Sequence, residues 1–450
     1  MCVYIDEIMK YIGFKIYVLL ILAALAVSFG TPRAQTVYSL DDYPGKKIFE
    51  IDYSQFKGED ENLNRLEIYY KIYTSGLQFV RENDQYRADY EITGAIYDKD
   101  KRQVTAFDIE KSIRVNTYNA TMSPSDFRIS QINRYLPPGK YKVEFHLIDK
   151  NSGNDIKSSL KAELIRYDNR NPQLSGIQLV HAVDTAIIDT VFRKGNLTVI
   201  PAVSRQLSGD LETRLLYYIE VYRGTDKLKK ILIETRLLDK KLRTVYLDTL
   251  TSSFGGEDNI IREVRHITLN NLRSGEYYID IVLKSRRGKG VDRARLKFYL
   301  YWSPEAMITN DYETAIEQLK YIAESDDMKA LKKAENAEER IARWNDFWAS
   351  KDPSPGTAEN EIKAAYYGRI DFANRNFTVM KKAGWRSDRG MIYIEYGEPD
   401  QVEDYPFELN SKAYQIWYYY RYGDPRKFVF VDEWGDNDFK LLYPYDGRVW

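Results

Sequence analysis

The sequence predicts a mainly β protein with an α+β C-terminal part. Three observations support this fold class. Residues 37–302 contain many runs in which apolar and polar side chains alternate, the period changes to that of a helix at Pro304, and short alternating runs return near the C-terminus. The content of 30% charged and 44% hydrophobic residues is typical of globular domains rather than of disordered chains.

The N-terminal segment, residues 1–34, is predicted to be a secretory signal peptide. Its apolar run at 16–29 follows basic residues and is too short to span a bilayer comfortably. Small residues after the run allow cleavage after Gly30 or after Ala34. The mature protein is therefore expected to be exported to the periplasm or to the outer membrane, with the extracellular medium as the less favoured alternative.

The only cysteine, Cys2, lies before the apolar run, so the mature chain would contain no disulfide and no thiol nucleophile. A secreted chain of this size without disulfides suits a bacterial envelope. Acidic residues near the N-terminus leave the translation start open between Met1 and Met9. No second apolar segment follows, so we expect no transmembrane span in the mature chain.

The β-rich region consists of two halves that resemble each other. LPPGKYKVEF (Leu136–Phe145) aligns with LRSGEYYIDI (Leu272–Ile281), and each phrase reads as a tight turn followed by a strand that begins with tyrosine. We therefore predict two tandem immunoglobulin-like β-sandwiches, at residues 35–168 and 172–302.

Residues 303–383 are predicted to form a helical connector. Capping and breaker residues indicate four helix starts, at Pro304, near Asp311, after Asp326 and after Thr357. Gly384 is predicted to end the last of these helices in a left-handed conformation.

Residues 384–450 are predicted to form a small antiparallel sheet that packs on the helices. The predicted strands are MIYIEY (391–396), AYQIWYYYRY (413–422), KFVFVD (427–432) and FKLLYP (439–444).

One phrase is specific enough to suggest a family. Gly384-Trp385-Arg386-Ser387-Asp388, together with DPSPGT (352–357) and YGEPD (396–400), resembles the GWxTD domain family of secreted bacterial proteins, with Ser387 where threonine is usual. The resemblance covers about residues 303–450. It implies a signal peptide, a variable β-rich N-terminal region and this C-terminal domain in envelope-bearing bacteria. It implies no established reaction, so no catalytic residue can be carried over.

The residues of this signature are interpreted as structural, because glycine, proline, serine and aspartate set turns and caps. Trp385 is expected to pack on the helices, and Arg389 is expected to pair with Asp388. Asp388, Arg389 and Glu398 are the candidates for facing a partner. The full set of signature residues is Gly384, Trp385, Ser387, Asp388, Arg389, Gly390, Tyr396, Gly397, Pro399 and Asp400.

The sequence contains no recognisable catalytic or metal-binding motif. Its three histidines lie far apart, so we predict no catalytic residue, no cofactor and no metal site. Two alternatives stay open. Carboxylates near the signature could serve a glycosidase, which needs two carboxyl groups at the scissile bond. The acidic turn at 432–438 could hold Ca²⁺, although the ligand order of an EF-hand is missing.

The favoured function is that of a non-enzymatic exported cell-envelope protein, a scaffold or binding module that acts through its GWxTD domain on an envelope protein. Lys and Arg (66) nearly balance Asp and Glu (67), so no basic field indicates nucleic acid. The alternatives are a peptidoglycan- or glycan-active enzyme that uses the C-terminal carboxylates, or a module whose sandwiches bind a glycan. The sequence specifies neither the partner nor the oligomeric state.

Overall fold

The computed structural model describes residues 37–39 and 49–442, apart from gaps at 124–125, 168–169, 187–189, 211–212, 226–227, 256–258, 286–287, 358–359, 380–381, 406–411 and 422–424. The prediction of a mainly β protein with an α+β C-terminal part is confirmed. The signal peptide, both cleavage sites, both start candidates and Cys2 lie outside the described residues. In the part that is described, no helix combines the length and apolarity needed to cross a bilayer.

The first sandwich packs two sheets around a shared apolar core. One sheet has the order β1-β9-β8-β5-β4 with β6 paired to β5, and the other has the order β2-β3-β7. All pairs are antiparallel except β1 with β9. Its described elements are β1 (Val37–Ser39), β2 (Phe49–Lys57), β3 (Asn64–Tyr73), β4 (Val80–Glu82), β5 (Gln85–Asp98), β6 (Gln103–Val115), helix α1 (Tyr118–Thr121), β7 (Phe127–Leu136), β8 (Gly139–Asp149) and β9 (Asp155–Leu164).

The second sandwich has the sheets β10-β15-β11-β13-β12, with β18 paired to β15, and β14-β20-β19-β16-β17. The pairing of β14 with β20 is parallel. Its described strands are β10 (Gln173–Leu174), β11 (Gln178–Asp184), β12 (Arg193–Lys194), β13 (Leu197–Pro201), β14 (Gln206–Gly209), β15 (Arg214–Tyr222), β16 (Lys230–Asp239), β17 (Thr244–Ser253), β18 (Ile260–Thr268), β19 (Gly275–Lys284) and β20 (Gly290–Trp302).

The two aligned phrases make the same contact in the two sandwiches. The Tyr141 hydroxyl donates a hydrogen bond to the carbonyl of Pro137 at 2.9 Å, and the Tyr277 hydroxyl donates to the carbonyl of Arg273 at 2.8 Å. Each tyrosine thus closes the turn that leads into its own strand. This common contact gives a physical reason for the sequence similarity of the two halves.

A buried network of charged side chains joins the two sandwiches. Lys194 Nζ lies 2.5 Å from both carboxylate oxygens of Glu67, and the side chains of this pair are 1% and 3% exposed. Glu67 also accepts hydrogen bonds from Arg65 Nε at 2.9 Å and from the Tyr69 hydroxyl at 2.8 Å. Burial lowers the pKa of Lys194, and the charge of Glu67 opposes that effect. Because β3 carries Glu67 and β12 carries Lys194, the pair fixes one sandwich against the other.

The C-terminal unit places helices on one face of a four-stranded antiparallel sheet with the order β21-β22-β23-β24. Its helices are α2 (Pro304–Asn310), α3 (Tyr312–Gln318), α4 (Ser325–Lys332), α5 (Ala337–Ser350), α6 (Glu361–Phe377) and α7 (Asp388–Tyr396), with 3₁₀ turns at Leu319–Tyr321 and Gly384–Arg386. Its strands are β21 (Gln401–Tyr405), β22 (Tyr414–Tyr419), β23 (Arg426–Asp432) and β24 (Phe439–Leu442).

Hydrogen bonds attach this unit to the second sandwich. The Asn310 side-chain oxygen accepts from the backbone N–H of Asn271 at 2.8 Å, and the Asp311 carboxylate accepts from the backbone N–H of Ser274 at 2.7 Å. The apolar core of the sandwich continues into the helices without interruption. The C-terminal unit is therefore packed on the sandwich rather than only tethered to it.

Several predicted element boundaries were wrong. MIYIEY was predicted to be a strand but belongs to helix α7. The helix predicted after Asp326 is two helices, because Asn336 caps a new one. The last connector helix is capped by Asn360 rather than by Thr357. Strand β21 was not predicted, since its charged residues hide the strand pattern.

Candidate functional site

The signature begins where the 3₁₀ turn at Gly384 crosses helix α6 at very short range. The backbone N–H of Gly384 donates to the Thr378 hydroxyl at 2.8 Å, and that of Trp385 donates to Asn374 Oδ1 at 3.2 Å. A Cβ atom at Gly384 would lie 1.8 Å from the Ala373 carbonyl oxygen. The prediction of a left-handed helix end was therefore wrong, because α6 ends earlier and this glycine is needed for close approach of two backbones.

Trp385 anchors the turn to the preceding helices. Its ring is 2% exposed and meets the Tyr321 ring edge-on at 6.5 Å between centroids. Lys320 and Arg386 lie over the indole, at 5.3 and 4.7 Å from its centroid, and the Tyr321 hydroxyl donates to the Trp385 carbonyl at 2.9 Å. The indole therefore connects the signature to the 3₁₀ turn after α3.

Ser387 is the N-cap of helix α7. Its hydroxyl oxygen accepts from the backbone N–H of Gly390 at 2.9 Å, and its hydroxyl donates to the Gly384 carbonyl at 2.7 Å. A Cβ atom at Gly390 would lie 2.0 Å from that same carbonyl oxygen. One hydroxyl thus closes the turn and begins the helix, which explains why serine or threonine suits this position.

Replacing Ser387 by alanine is expected to lower the free energy of unfolding of the C-terminal unit by about 1–2 kcal/mol, since a buried cap is lost. All seven tryptophans of the chain lie at or after residue 302, so tryptophan fluorescence during urea unfolding reports on this unit. Ser387→Thr keeps the oxygen and is the matched control, with an expected change below about 0.5 kcal/mol. Equal losses in both variants would contradict the cap assignment.

Asp388 attaches the start of helix α7 to the sheet. Its Oδ2 accepts from the backbone N–H of Leu441 in β24 at 2.9 Å, and Lys382 Nζ lies 3.8 Å from its Oδ1. The acidic side chain also lies in the first turn of the helix, where negative charge is stabilising. The Asp388 carboxylate is thus engaged in contacts within the C-terminal unit.

Arg389 is 4% exposed and points into the unit, so its prediction as a partner-facing residue was wrong. Its Nη1 donates to Gln415 Oε1 at 3.3 Å and its Nη2 to the Asn437 carbonyl at 3.0 Å. The guanidinium also lies 4.2 Å from the centre of the Phe439 ring and 5.0 Å from that of Phe377. The side chain therefore binds helix α7 to the turn between β23 and β24.

The second half of the signature turns the chain from helix α7 into β21. Gly397 has a φ of +80°, and its carbonyl accepts from the Tyr419 hydroxyl at 2.9 Å. The Tyr396 ring packs on Phe428, with centroids 5.1 Å apart. Asp400 Oδ2 accepts from the backbone N–H of Tyr420 at 2.7 Å. Pro399 is half-buried in this turn, while Glu398 is exposed.

The carboxylates in and near the signature differ in their contacts. Asp388 and Asp400 accept backbone hydrogen bonds, whereas the side chains of Glu395 and Glu398 are exposed. Partial burial raises the pKa of Glu395, and Lys320 opposes the shift. The two aspartates have the contacts expected of capping residues rather than those of a catalytic pair.

The acidic turn at 432–438 is organised by one of its own carboxylates. Asp432 Oδ1 accepts from the backbone N–H of Gly435 at 2.9 Å, and its Oδ2 accepts from that of Asn437 at the same distance. Within the described residues no group of three histidine, cysteine, aspartate or glutamate side chains could hold a metal ion. The turn also presents Trp434, which is 82% exposed.

A surface that the sequence analysis missed lies on the side of the sheet away from the helices. Buried Trp417, Tyr419 and Phe428 point toward the helices, so the alternate residues point outward. The signal was present in AYQIWYYYRY, because apolar residues in both phases of a strand indicate a sheet that is apolar on both faces. The apolar and tyrosine residues of this outer sheet face are Tyr405, Tyr414, Ile416, Tyr418, Tyr420, Val429, Val431 and Leu442. Gln401, Glu403, Lys427 and Lys440 lie among them on the same face.

Stacked tyrosines dominate this outer sheet face. The rings of Tyr405 and Tyr414 stack at 4.4 Å with an interplanar angle of 11°, and those of Tyr418 and Tyr420 stack at 6.1 Å with 13°. Tyr405 is 40% exposed, Tyr420 is 51% exposed and Leu442 is 53% exposed. Exposed apolar residues grouped on one sheet face indicate a binding surface.

A family model described as "GWxTD domain" matches residues 303–444. No curated protein matches the chain. Among solved structures, the chain is similar to a Bacteroides uniformis beta-glucuronidase 2 (15% identity, 28% of this chain and 14% of that chain, TM-score 0.18). It is also similar to a putative beta-galactosidase from Bacteroides fragilis (8% identity, 51% of this chain and 32% of that chain, TM-score 0.20). The chain spans less than a third of the length of either enzyme, and TM-scores this low carry no information about activity.

Proposed function

We propose that this chain, a GWxTD-domain-containing protein, is a non-enzymatic exported protein of the cell envelope whose GWxTD domain binds a protein partner through the outer sheet face. The observation that carries the proposal is that the signature residues and the outer sheet face make different kinds of contact. Its signature residues are engaged in internal caps and packing, while eight apolar or tyrosine side chains of one sheet face point outward.

The shape and chemistry of the face favour a protein over a small ligand. Small-molecule sites are concave, whereas this face is the open side of a four-stranded sheet. Tyrosine is enriched in the centres of protein interfaces, because it offers apolar area together with a hydroxyl. Export is supported by the predicted signal peptide, and localisation to the periplasm or outer membrane is part of the proposal.

The test uses a photo-cross-linking amino acid at position 420 in the full-length chain, expressed in its own host. We expect a specific protein adduct in the envelope fraction. Leu442→Glu, on the outer sheet face, is expected to reduce the adduct at least about tenfold, because a charge placed in an apolar contact costs more than about 1.4 kcal/mol.

Leu247→Glu in β17 is the matched control, since Leu247 is 57% exposed and Leu442 is 53% exposed. It is expected to leave the adduct unchanged. Equal losses in both variants, or no adduct at all, would overturn binding through this face. Purified protein that hydrolyses peptidoglycan, with loss of that activity in Glu398→Gln, would establish the enzymatic alternative instead.

A further inference from the structure

A cleft at one end of the first sandwich is separate from the GWxTD domain. It lies between the β8–β9 turn, the segment before β4 and helix α1, and it encloses about 330 Å³. That volume is at the lower end of the range of small-molecule sites, about 300–1,000 Å³. The cleft is therefore large enough for a short, compact ligand.

The walls of the cleft are held in place by a buried carboxylate. Asp149 is 3% exposed, and its Oδ2 accepts from the backbone N–H of Gln78 at 2.7 Å and from the Ser152 hydroxyl at 2.8 Å. Its Oδ1 accepts from the backbone N–H of Asn151 at 3.0 Å. These bonds join the two walls, so the cleft is formed before any ligand arrives. They also engage both oxygens of the carboxylate.

The lining combines aromatic rings with neutral polar groups. Phe79, Tyr86 and Tyr118 contribute rings, and the Tyr86 and Tyr118 rings meet edge-on with centroids 6.0 Å apart. Gln78 and Asn154 contribute amides that can donate and accept hydrogen bonds. Among the lining residues that the structure describes, Asp149 carries the single formal charge, and there is no lysine or arginine.

We infer that this cleft binds a neutral saccharide. Tyr118 and Met122 both line the cleft and are 61% and 50% exposed, so the rim presents adjacent apolar surface that a bound ligand would cover. A sugar ring presents C–H groups to aromatic faces and hydroxyls to amides, which matches this lining. An anionic sugar would find no cation among the described lining residues, and a purely apolar ligand would gain nothing from the polar residues Gln78 and Asn154.

The inference is tested on the full-length mature chain with cellobiose, chitobiose and maltose as neutral probes and a heparin disaccharide as the anionic comparator. Binding is measured by saturation-transfer NMR and by calorimetry. We expect at least one neutral probe to bind and the anionic one not to bind. Tyr118→Ala is expected to weaken binding about tenfold or more.

Tyr135→Ala is the matched control, because Tyr135 is 50% exposed on β7 of the same sandwich and does not line the cleft. It is expected to leave affinity unchanged. Absence of binding by all three neutral probes, preference for the anionic probe, or equal effects of the two tyrosine variants would overturn the inference. The cross-linking result at position 420 is independent of this outcome, so the two proposals fail separately.

Discussion

Replacing Gly384 by alanine is expected to destabilise the C-terminal unit by about 4 kcal/mol, the range reserved for severe steric changes. The added Cβ would lie 1.8 Å from the Ala373 carbonyl oxygen and 2.9 Å from the Asn374 Cα. Both neighbours belong to the backbone of α6, so no side-chain rotation relieves the clash. The turn has to move away from the helix, and the hydrogen bonds to Thr378 and Asn374 then break.

The measurement is urea unfolding followed by tryptophan fluorescence, which reports on residues 302 onward. With a urea dependence of about 1–3 kcal/mol per molar, the midpoint is expected to fall by about 1.3–4 M. Gly368→Ala is the matched control, because it makes the same change on the exposed face of α6, where no atom lies within 4 Å of the new Cβ. There we expect a gain of about 0.5–1 kcal/mol. Equal midpoints for the two variants would contradict the close approach.

Gly384 also shows which features of the domain could be predicted from the sequence and which could not. Its importance was predictable, because the Gly-Trp phrase identifies the domain, but its role was predicted incorrectly. The phrase alone does not reveal that the chain folds back onto α6, since that contact depends on residues ten positions earlier. The glycine, serine and aspartate residues predicted that the chain turns at Gly384. Tertiary packing against α6 determines the geometry of that turn.

Helix α7 illustrates a second limit. MIYIEY is a short apolar run, and such a run fits both periods. The helical reading was available, because Arg389, Ile392, Tyr393 and Tyr396 recur at the spacing of one helix face and Ser387 stands at the N-cap position. An arginine at a core position weakened that pattern, yet here Arg389 is buried against amide groups and aromatic rings. The sequence pattern therefore could not predict that the guanidinium of Arg389 would be buried.

Strands of the sandwiches were predicted more reliably, because their alternation extends over eight or more residues. The strands predicted to begin with Tyr141 and Tyr277 are the observed β8 and β19, each of which starts only two residues earlier, at Gly139 and at Gly275. The outer sheet face was missed for a different reason. Alternation assigns one apolar face to each strand, whereas β22 has apolar residues on both faces, and the outward ones have no covering layer among the described residues.

Glu67→Gln is expected to destabilise the paired sandwiches by about 3–5 kcal/mol, the range for removing one partner of a buried ion pair. The change removes the negative charge that lies 2.5 Å from Lys194 Nζ while the lysine side chain stays 1% exposed. Arg65 lies beside the same carboxylate. Without the charge of Glu67, the positive charges of Arg65 and Lys194 would therefore be less fully neutralised. The expected result is a lower midpoint of the β-sheet signal in far-UV circular dichroism, with faster amide exchange in β3 and β12.

The double variant Glu67→Gln/Lys194→Met distinguishes a charge effect from a packing effect. Lys194 Nζ lies 3.7 Å from the centre of the Phe56 ring, so a methionine thioether there would meet an aromatic surface. If the loss in the single variant comes from the stranded lysine, the double variant should recover at least half of it. Glu163→Gln is the matched control, since Glu163 lies on β9 of the same sandwich with a side chain that is 68% exposed, and its change should stay within about 0.5 kcal/mol. A double variant less stable than the single one would show that the pair acts through shape rather than charge.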